Sequence, residues 1–185
     1  GRQMRLKDVH PAEGEKIWSQ CVNSDGAKHF FAKTEDEMWD YMQPQPRHYS
    51  EIIQDKPCHL FFDLDDGDVH AAWSRIEPLV NSFLDLLDVT YHHVLLDASM
   101  GNKKSLHVIT RASKYVLASP LQGKQFVKQL EAIHDVELGL DTTIYTRNRC
   151  FRMLGSTKFG SERVLRGKWT KEFWLQSLVQ PTTAL

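Results

Sequence analysis

Cysteine is scarce in this chain of 185 residues, which contains three. Cys21, Cys58 and Cys150 lie far apart, and no two of them form a CxxC pair. This spacing argues against a zinc ribbon and against the disulfide scaffold of a small secreted protein. We therefore expect a reducing, intracellular compartment.

Long hydrophobic runs are also missing. No apolar run approaches the roughly 20 residues that span a bilayer, and the N-terminal segment GRQMRLKDVHPAEGEK has no apolar stretch typical of a signal peptide. The composition is ordinary for a globular protein, and the length suits one domain or two small modules that share a core. We expect no association with a membrane.

The net charge is only −1, but the charges are unevenly distributed. Residues 142–185 contain eight Lys or Arg and two Glu, a balance of +6, whereas residues 1–141 carry −7. A basic segment on a nearly neutral protein indicates a local anionic ligand such as phosphate or nucleic acid. A solvated basic face is the alternative.

The apolar pattern predicts an α+β fold. A hairpin over 16–33 precedes a helix whose N-cap is Thr34, with Glu37 completing a capping box. From residue 58 the predicted order is β-α-β-β-α-β, the split-βαβ arrangement of a ferredoxin-like or RRM-like mixed sheet. We expect a small N-terminal α/β module at 1–57 and the RRM-like module at 58–185. The latter's predicted strands are 58–65, 92–99, 104–110, 141–146 and 150–156, with a further basic strand in 158–167, and its predicted helices are 70–88, 120–136 and 170–179.

Four carboxylates crowd the end of the strand in HLFFDLDDGD, residues 59–68. Asp63 and Asp65 stand two positions apart, so on a strand both point to one side of the sheet. Neighbouring carboxylates raise each other's pKa, and a divalent cation at the strand end would offset their charge. Asp66 and Asp68 are expected to be solvated. The alternative is a solvated acidic turn without metal.

The segment KKSLHVI at 103–109 places Ser105 and His107 on one strand face, with Lys103 in line. A hydroxyl, an imidazole and an ammonium group together form an array of donors that suits phosphate oxygens. For His107 alone a structural histidine is the alternative, but the S-x-H pair preceded by Lys favours phosphate.

A third polar segment, 140–160, begins with Asp141, a candidate third carboxylate. Arg149 and Arg152 are three positions apart, so the chain must bend near them if both are to meet one ligand. Arg binds phosphate in a bidentate manner, and Lys158 lies in a turn whose backbone N–H groups can also bind anions. A basic surface hairpin is the alternative.

In order and spacing these segments resemble the archaeo-eukaryotic primase superfamily, and most closely the primase-polymerases called PrimPol. That family has a DxE or DxD first motif, an S-x-H second motif and a hydrophobic-Asp third motif. The stretches YTRNRCFRMLGSTKFG, KHFFAKTEDEMWDYM and HYSEII are also similar to parts of the family, so the resemblance covers roughly residues 15–165. It implies the α+β primase catalytic core. The residues that correspond to the three motifs are Asp63/Asp65, Ser105/His107 and Leu140-Asp141.

The resemblance implies roles for individual residues. The three acids would bind two divalent cations, Mn²⁺ or Mg²⁺, and Ser105 and His107 would contact the triphosphate of an incoming nucleotide. Tyr49 or Ser50 occupies the sugar-proximal position. The basic residues that match nucleotide-contacting positions are Lys28, Lys103, Arg149, Arg152 and Lys158, and those expected along the DNA backbone are Arg147, Arg163, Arg166 and Lys168.

The implied function is a DNA-directed nucleotidyltransferase that adds dNTPs or NTPs to a primer 3′-hydroxyl on a DNA template, in damage tolerance or replication restart. The expected partners are primer–template or single-stranded DNA, nucleotides and, through segments outside this sequence, single-strand-binding proteins. A monomer located in the nucleus, the mitochondrion or both is expected. The alternatives are a viral-type primase domain, a metal-dependent nuclease and a non-catalytic RRM-like module that binds nucleic acid.

The chain departs from the family pattern at three points. Asp65 stands where animal members have Glu, which shortens one metal ligand. The linker between the second and third motifs is short. No Cys/His cluster follows Cys150, so the zinc-binding module that initiates primers is not part of this sequence.

Overall fold

The computed structural model describes residues 4–43 and 47–182. They form helices and two antiparallel sheets, which confirms the predicted α+β class. The strands are β1 (Lys16–Cys21), β2 (Lys28–Lys33), β3 (Tyr49–Ile53), β4 (Leu60–Asp65), β5 (Tyr91–Asp97), β6 (Ser105–Ala112) and β7 (Arg149–Arg152). The helices are α1 (Glu35–Tyr41), α2 (Val69–Leu86), α3 (Gly123–His134) and α4 (Lys171–Gln176), with 3₁₀ turns at Leu6–Asp8 and Pro120–Gln122.

The first sheet has the strand order β2-β1-β3-β7. β1 and β2 form the predicted hairpin, whose turn is held by the Asn23 side chain accepting from the backbone N–H groups of Asp25 and Ala27. α1 then begins at the predicted capping box, because Thr34 Oγ1 accepts from Glu37 N and the Glu37 carboxylate accepts from Thr34 N.

The second sheet has the strand order β4-β6-β5, and α2 connects β4 to β5 as a split βαβ unit. Phe62 of β4 faces the helices, where it contacts Trp73 of α2 and Phe126 of α3. Phe61 faces the other way and contacts Phe151 of β7. Because side chains alternate along a strand, the two acids at the end of β4 share the Phe61 face.

The expected RRM-like sheet is wrong in two respects. Every pairing between the named strands is antiparallel, so neither sheet is mixed. The strand predicted at 150–156 for the RRM-like module corresponds to β7, which pairs with β3 of the first sheet instead. All five residues of β3 are buried, so its free edge would leave backbone groups without partners away from water. β7 supplies those partners.

Two predicted strands near the third motif are also wrong. Residues 141–146 form turns, because the Asp141 carboxylate accepts from the backbone N–H and the hydroxyl of Thr143 and so competes with a strand ladder. The segment 158–167 contains a turn at Gly160, whose φ is +81°. It contributes isolated bridges, Thr157–Val164 and Asp97–Arg166, rather than a strand.

One apolar core connects the two sheets. Trp18 of β1 and Trp174 of α4 are buried in it and stack with ring centroids 5.8 Å apart. In residues 4–43 and 47–182, none of the helices combines the length and the apolar character that crossing a membrane requires.

Candidate metal centre and basic cavity

The three predicted acids meet at one point. Carboxylate oxygens of Asp63, Asp65 and Asp141 lie within 4.8 Å of one another, so the cluster could hold a metal ion. Asp63 and Asp65 come from the end of β4, and Asp141 comes from the turns before β7. The fold thus adds a third carboxylate to the pair whose shared face the sequence predicts.

Asp63 is mostly buried, with 14% of its side chain exposed. Burial raises the pKa of Asp63, the charges of Asp65 and Asp141 raise it further, and nearby arginines offset them only in part, so that it lies at about 7. The buried Oδ1 of Asp63 has no hydrogen-bond partner among the described residues. A buried acceptor without a donor, beside two further carboxylates, fits a divalent cation.

The turns that carry Asp141 are fastened to β4. The backbone N–H of Asp141 donates to the carbonyl of Asp63 over 3.4 Å, and the buried hydroxyl of Tyr145 donates to the carbonyl of Phe61 over 2.6 Å. The Tyr145 ring packs on Gly123, where an added Cβ would lie 2.1 Å from the ring. These contacts hold the third acid beside the other two.

The predicted phosphate-binding pair lies beside the acids. β6 places Ser105 directly opposite Asp65 and His107 directly opposite Asp63. Residues directly opposite each other on neighbouring strands share a face of the sheet. The two motifs, more than forty residues apart along the chain, therefore form one polar patch.

His107 is buried and stacks on Phe151 with ring centroids 4.2 Å apart. Its Nε2 lies 3.7 Å from Asp63 Oδ1, which is too far for a hydrogen bond. Burial lowers the pKa of His107 to about 3, and the charges of Arg152 and Arg149 lower it as well. The imidazole is therefore neutral and presents one N–H donor.

A basic cavity of about 550 Å³ opens on the first sheet. Arg152 joins it to the acids: burial lowers the pKa of Arg152, whereas the nearby carboxylates of Asp63 and Asp65 raise it. No acidic residue lines the cavity within the described part of the chain. The five Lys and Arg residues in its lining are Lys28, Arg147, Arg149, Arg152 and Lys158.

The structure has a left-handed residue just before β7, whereas the expected bend between the two arginines is absent from this strand. Asn148 has a φ of +56°, a left-handed conformation that Asn adopts more readily than most residues. Arg149 and Arg152 are the first and last residues of β7, so no bend separates them, and both nevertheless line the basic cavity.

Tyr49 and Ser50 are consecutive residues of β3, so their side chains point to opposite faces of the sheet. Ser50 lines the basic cavity, in register with Ser19 of β1 and Arg152 of β7. Tyr49 points into the core, where its ring contacts Tyr41. Of the two sugar-proximal candidates, Ser50 is the one that a ligand in the cavity can reach.

Four other predicted basic residues lie outside the lining of the basic cavity. Lys103 forms a bridge with Met100 in the β5–β6 connection. Arg166 donates to the carbonyl of Ser99 over 2.9 Å and lies 3.5 Å from the Asp97 carboxylate. Arg163 is half-buried and Lys168 is exposed.

Sequence reasoning missed two roles. Asp68 is the N-cap of α2 and accepts from Ala71 N, a role that its place before an amphipathic helix indicates. His48, at a φ of +61°, lines the cavity, with its Nδ1 3.1 Å from Thr157 O and its ring on Phe159. No sequence signal for His48 stands out beyond the family-like stretch HYSEII.

Comparison with known proteins does not assign the chain to a family. The chain matches no protein-family model and no curated protein. A functional interpretation therefore depends on the geometry of the acid cluster and the basic cavity, together with the resemblance of the motifs.

Proposed function

We propose that this protein is a metal-dependent nucleotidyltransferase of the primase-polymerase type, which extends a primer 3′-hydroxyl on a DNA template. The observation that carries the proposal is the junction of the acid cluster with the basic cavity at Arg152. Three carboxylates alone would equally suit a nuclease. Five cations lie beside them, and no acid lines the cavity among residues 4–43 and 47–182, which suits the concentrated charge of a nucleoside triphosphate.

The protein's own residues would mainly hold the metal ion and the phosphates in position. Asp63, Asp65 and Asp141 would hold Mn²⁺ or Mg²⁺, which when bound lowers the pKa of the attacking hydroxyl and neutralises phosphate charge. Neutral His107, held by the Phe151 ring, supplies one N–H donor for a phosphate oxygen.

The basic cavity would receive the phosphates and the sugar. Arg149, Arg152 and Lys158 supply donors for phosphate, and Ser50 lies in the same lining as the candidate sugar contact. The basic cavity opens on the first sheet, whereas Asp63 and Asp65 lie on the second, so the phosphates would lie between them.

A non-catalytic RRM-like module is less compatible with this surface. Such modules stack bases on aromatic side chains of the central strands. The corresponding face of β4 and β6 presents Asp63, Asp65, Ser105 and His107, and the two carboxylates repel phosphate unless a cation lies between them.

A primer-extension assay tests the proposal. A labelled primer annealed to a longer template is incubated with dNTPs and Mn²⁺ or Mg²⁺. We expect wild-type protein to lengthen the primer, and Asp63→Asn and Asp65→Asn to reduce the rate by about 100-fold or more, since each removes a metal ligand. Asp66→Asn is the matched control, because Asp66 is exposed at the same strand end and lies outside the acid cluster.

Two outcomes would contradict the proposal. Shortening of the primer, lost in the same two variants, would indicate a nuclease. An unchanged primer, together with DNA binding that is equal in all variants, would indicate a binding module without catalysis.

A further inference from the structure

A second cavity, of about 910 Å³, adjoins the basic cavity and shares His48 and Thr157 with it. Leu154 and Leu165, both buried, belong to its lining, and Trp169 lines it with 37% of its surface exposed. We call it the tryptophan cavity. It differs from the basic cavity in having more apolar side chains in its lining and a tryptophan.

The indole of Trp169 is held in place. Its ring packs on Trp39 with centroids 4.5 Å apart, and Trp39 in turn packs on the buried Trp174 at 5.6 Å. An aromatic ring supported by other rings loses little conformational freedom when a flat ligand stacks on it. Trp169 therefore has the properties of a rigid stacking platform.

The backbone around the tryptophan cavity is also fixed. Gly155 N donates to Leu165 O over 2.8 Å, and Leu165 N donates to Ser156 O over 3.1 Å. Gly167 approaches the core so closely that an added Cβ would lie 2.5 Å from Phe173. The cavity is thus formed before any ligand binds, as small-molecule sites usually are.

The charges around the two cavities favour a polyanion. Arg47 and Arg166 line the tryptophan cavity and join the five cations of the basic cavity. Glu162 is the one acidic residue that lines either cavity in the described part of the chain. Cations interleaved with a fixed aromatic ring are the combination that binds single-stranded nucleic acid, through phosphate contacts and base stacking.

We propose that the tryptophan cavity binds an unpaired base of a single-stranded nucleic acid, which stacks on Trp169 while the adjoining backbone follows the cations toward the basic cavity. The proposal rests on the proposed function for the presence of a nucleic acid, but it requires neither metal nor catalysis. It adds an aromatic contact to the basic residues that the sequence suggests for DNA binding.

Binding of a labelled oligothymidylate, followed by fluorescence anisotropy in EDTA without nucleotides, tests this contact. We expect Trp169→Leu to weaken binding by about 5- to 150-fold, since stacking contributes about 1–3 kcal/mol per base. Trp169→Phe keeps an aromatic face and should retain most of the affinity. Leu86→Ala removes an apolar side chain that is 85% exposed on α2 and serves as the matched control.

An abasic oligonucleotide of equal length separates stacking from phosphate contacts. Wild type and Trp169→Leu should bind the abasic strand equally, and the salt dependence on oligothymidylate should have the same slope in both, because no cation is removed. Thermal unfolding of each variant reports whether it is folded.

Three outcomes would overturn the proposal. Equal binding of oligothymidylate by Trp169→Leu and the Leu86→Ala control would exclude stacking, and an equal loss on the abasic strand would show that the substitution acts on phosphate contacts. Binding of dTMP as tight as that of the oligonucleotide would indicate a mononucleotide site. If primer extension fails but the stacking pattern holds, the proposed catalytic function is wrong and this site remains.

Discussion

At the scale of a single residue, the ionisation of Asp63 makes the stability of the fold depend on pH. Burial and the neighbouring acids raise its pKa from 3.8 to about 7 in the folded, metal-free protein. Between these two pH values the folded state holds a proton that the unfolded state has released. The contribution of Asp63 to stability therefore falls as the pH rises from about 4 to 7.

We expect Asp63→Asn to gain stability relative to the wild type by roughly 2–3 kcal/mol as the pH rises from 5 to 8, because Asn has no proton to lose. Urea unfolding in EDTA measures this difference. Burial lowers the pKa of His59 and of His107 to about 3, so their titration makes the folded state more stable as the pH rises. The free energy of unfolding should therefore be compared between the wild type and Asp63→Asn at each pH, because both proteins contain these histidines.

Asp66→Asn is the control for this measurement and should follow the wild type at every pH. Addition of Mn²⁺ at pH 8 should stabilise the wild type and not Asp63→Asn, because metal binding to the cluster stabilises the folded state. Parallel stability curves for wild type and Asp63→Asn would contradict the role given to this carboxyl.

At the scale of elements, two acids of the cluster come from a regular strand, β4, and the third, Asp141, comes from irregular turns. A strand holds two carboxylates on one face by its own geometry, but a turn has no such periodicity and depends on its anchors. The anchor here is Tyr145, which donates to Phe61 O of β4 and packs on Gly123 at the start of α3. The turn that carries Asp141 is therefore attached through Tyr145 to a strand, β4, and to a helix, α3.

We expect Tyr145→Phe to weaken Mn²⁺ binding by about tenfold, as does the loss of other groups that orient metal ligands, and to cost about 1 kcal/mol of stability. Electron paramagnetic resonance of free Mn²⁺ during a titration measures the affinity. Tyr91→Phe is the matched control, because it removes a hydroxyl that donates to Asp85 at the surface over 2.9 Å. Equal Mn²⁺ affinity in the two variants would mean that Tyr145 does not position Asp141.

At the scale of the whole molecule, a buried ion pair fastens the C-terminal segment to the first sheet. Lys16 Nζ donates to the Glu51 carboxylate over 2.6 Å, and the same carboxylate accepts from the backbone N–H groups of Val179 and Gln180. Both side chains are almost fully buried. Glu51 therefore joins β1, β3 and the segment after α4.

We expect Glu51→Gln to destabilise the protein by about 3–5 kcal/mol, since it leaves the Lys16 charge buried without its counter-ion. Urea unfolding at neutral pH measures the change. The matched control is Asp36→Asn, which breaks the exposed pair of Asp36 with Lys171 and should cost at most about 1 kcal/mol. Similar costs for the two substitutions would contradict the structural role of the buried pair.

Features that depend only on neighbours along the chain could be predicted without the structure. The capping box at Thr34 and Glu37, the first hairpin and the shared face of Asp63 and Asp65 follow from rules that reach only a few residues. The α+β class followed from the alternation of such segments. Strand faces and donor chemistry indicated the acids and the candidate phosphate ligands, and the motif resemblance added Lys28, Tyr49 and Ser50. The function that the resemblance implies remains a prediction.

The contacts between distant segments, in contrast, are seen only in the three-dimensional fold. β7 joins the first sheet because the buried edge of β3 requires a backbone partner, and that pairing brings Arg152 and Phe151 to the acids and to His107. The same non-local contacts select Ser50 over Tyr49 as the cavity residue, and the tryptophan cavity also arises from them. Local patterns carry no information on these pairings, because burial and hydrogen bonding of whole strands, rather than the preference of any short segment, determine them.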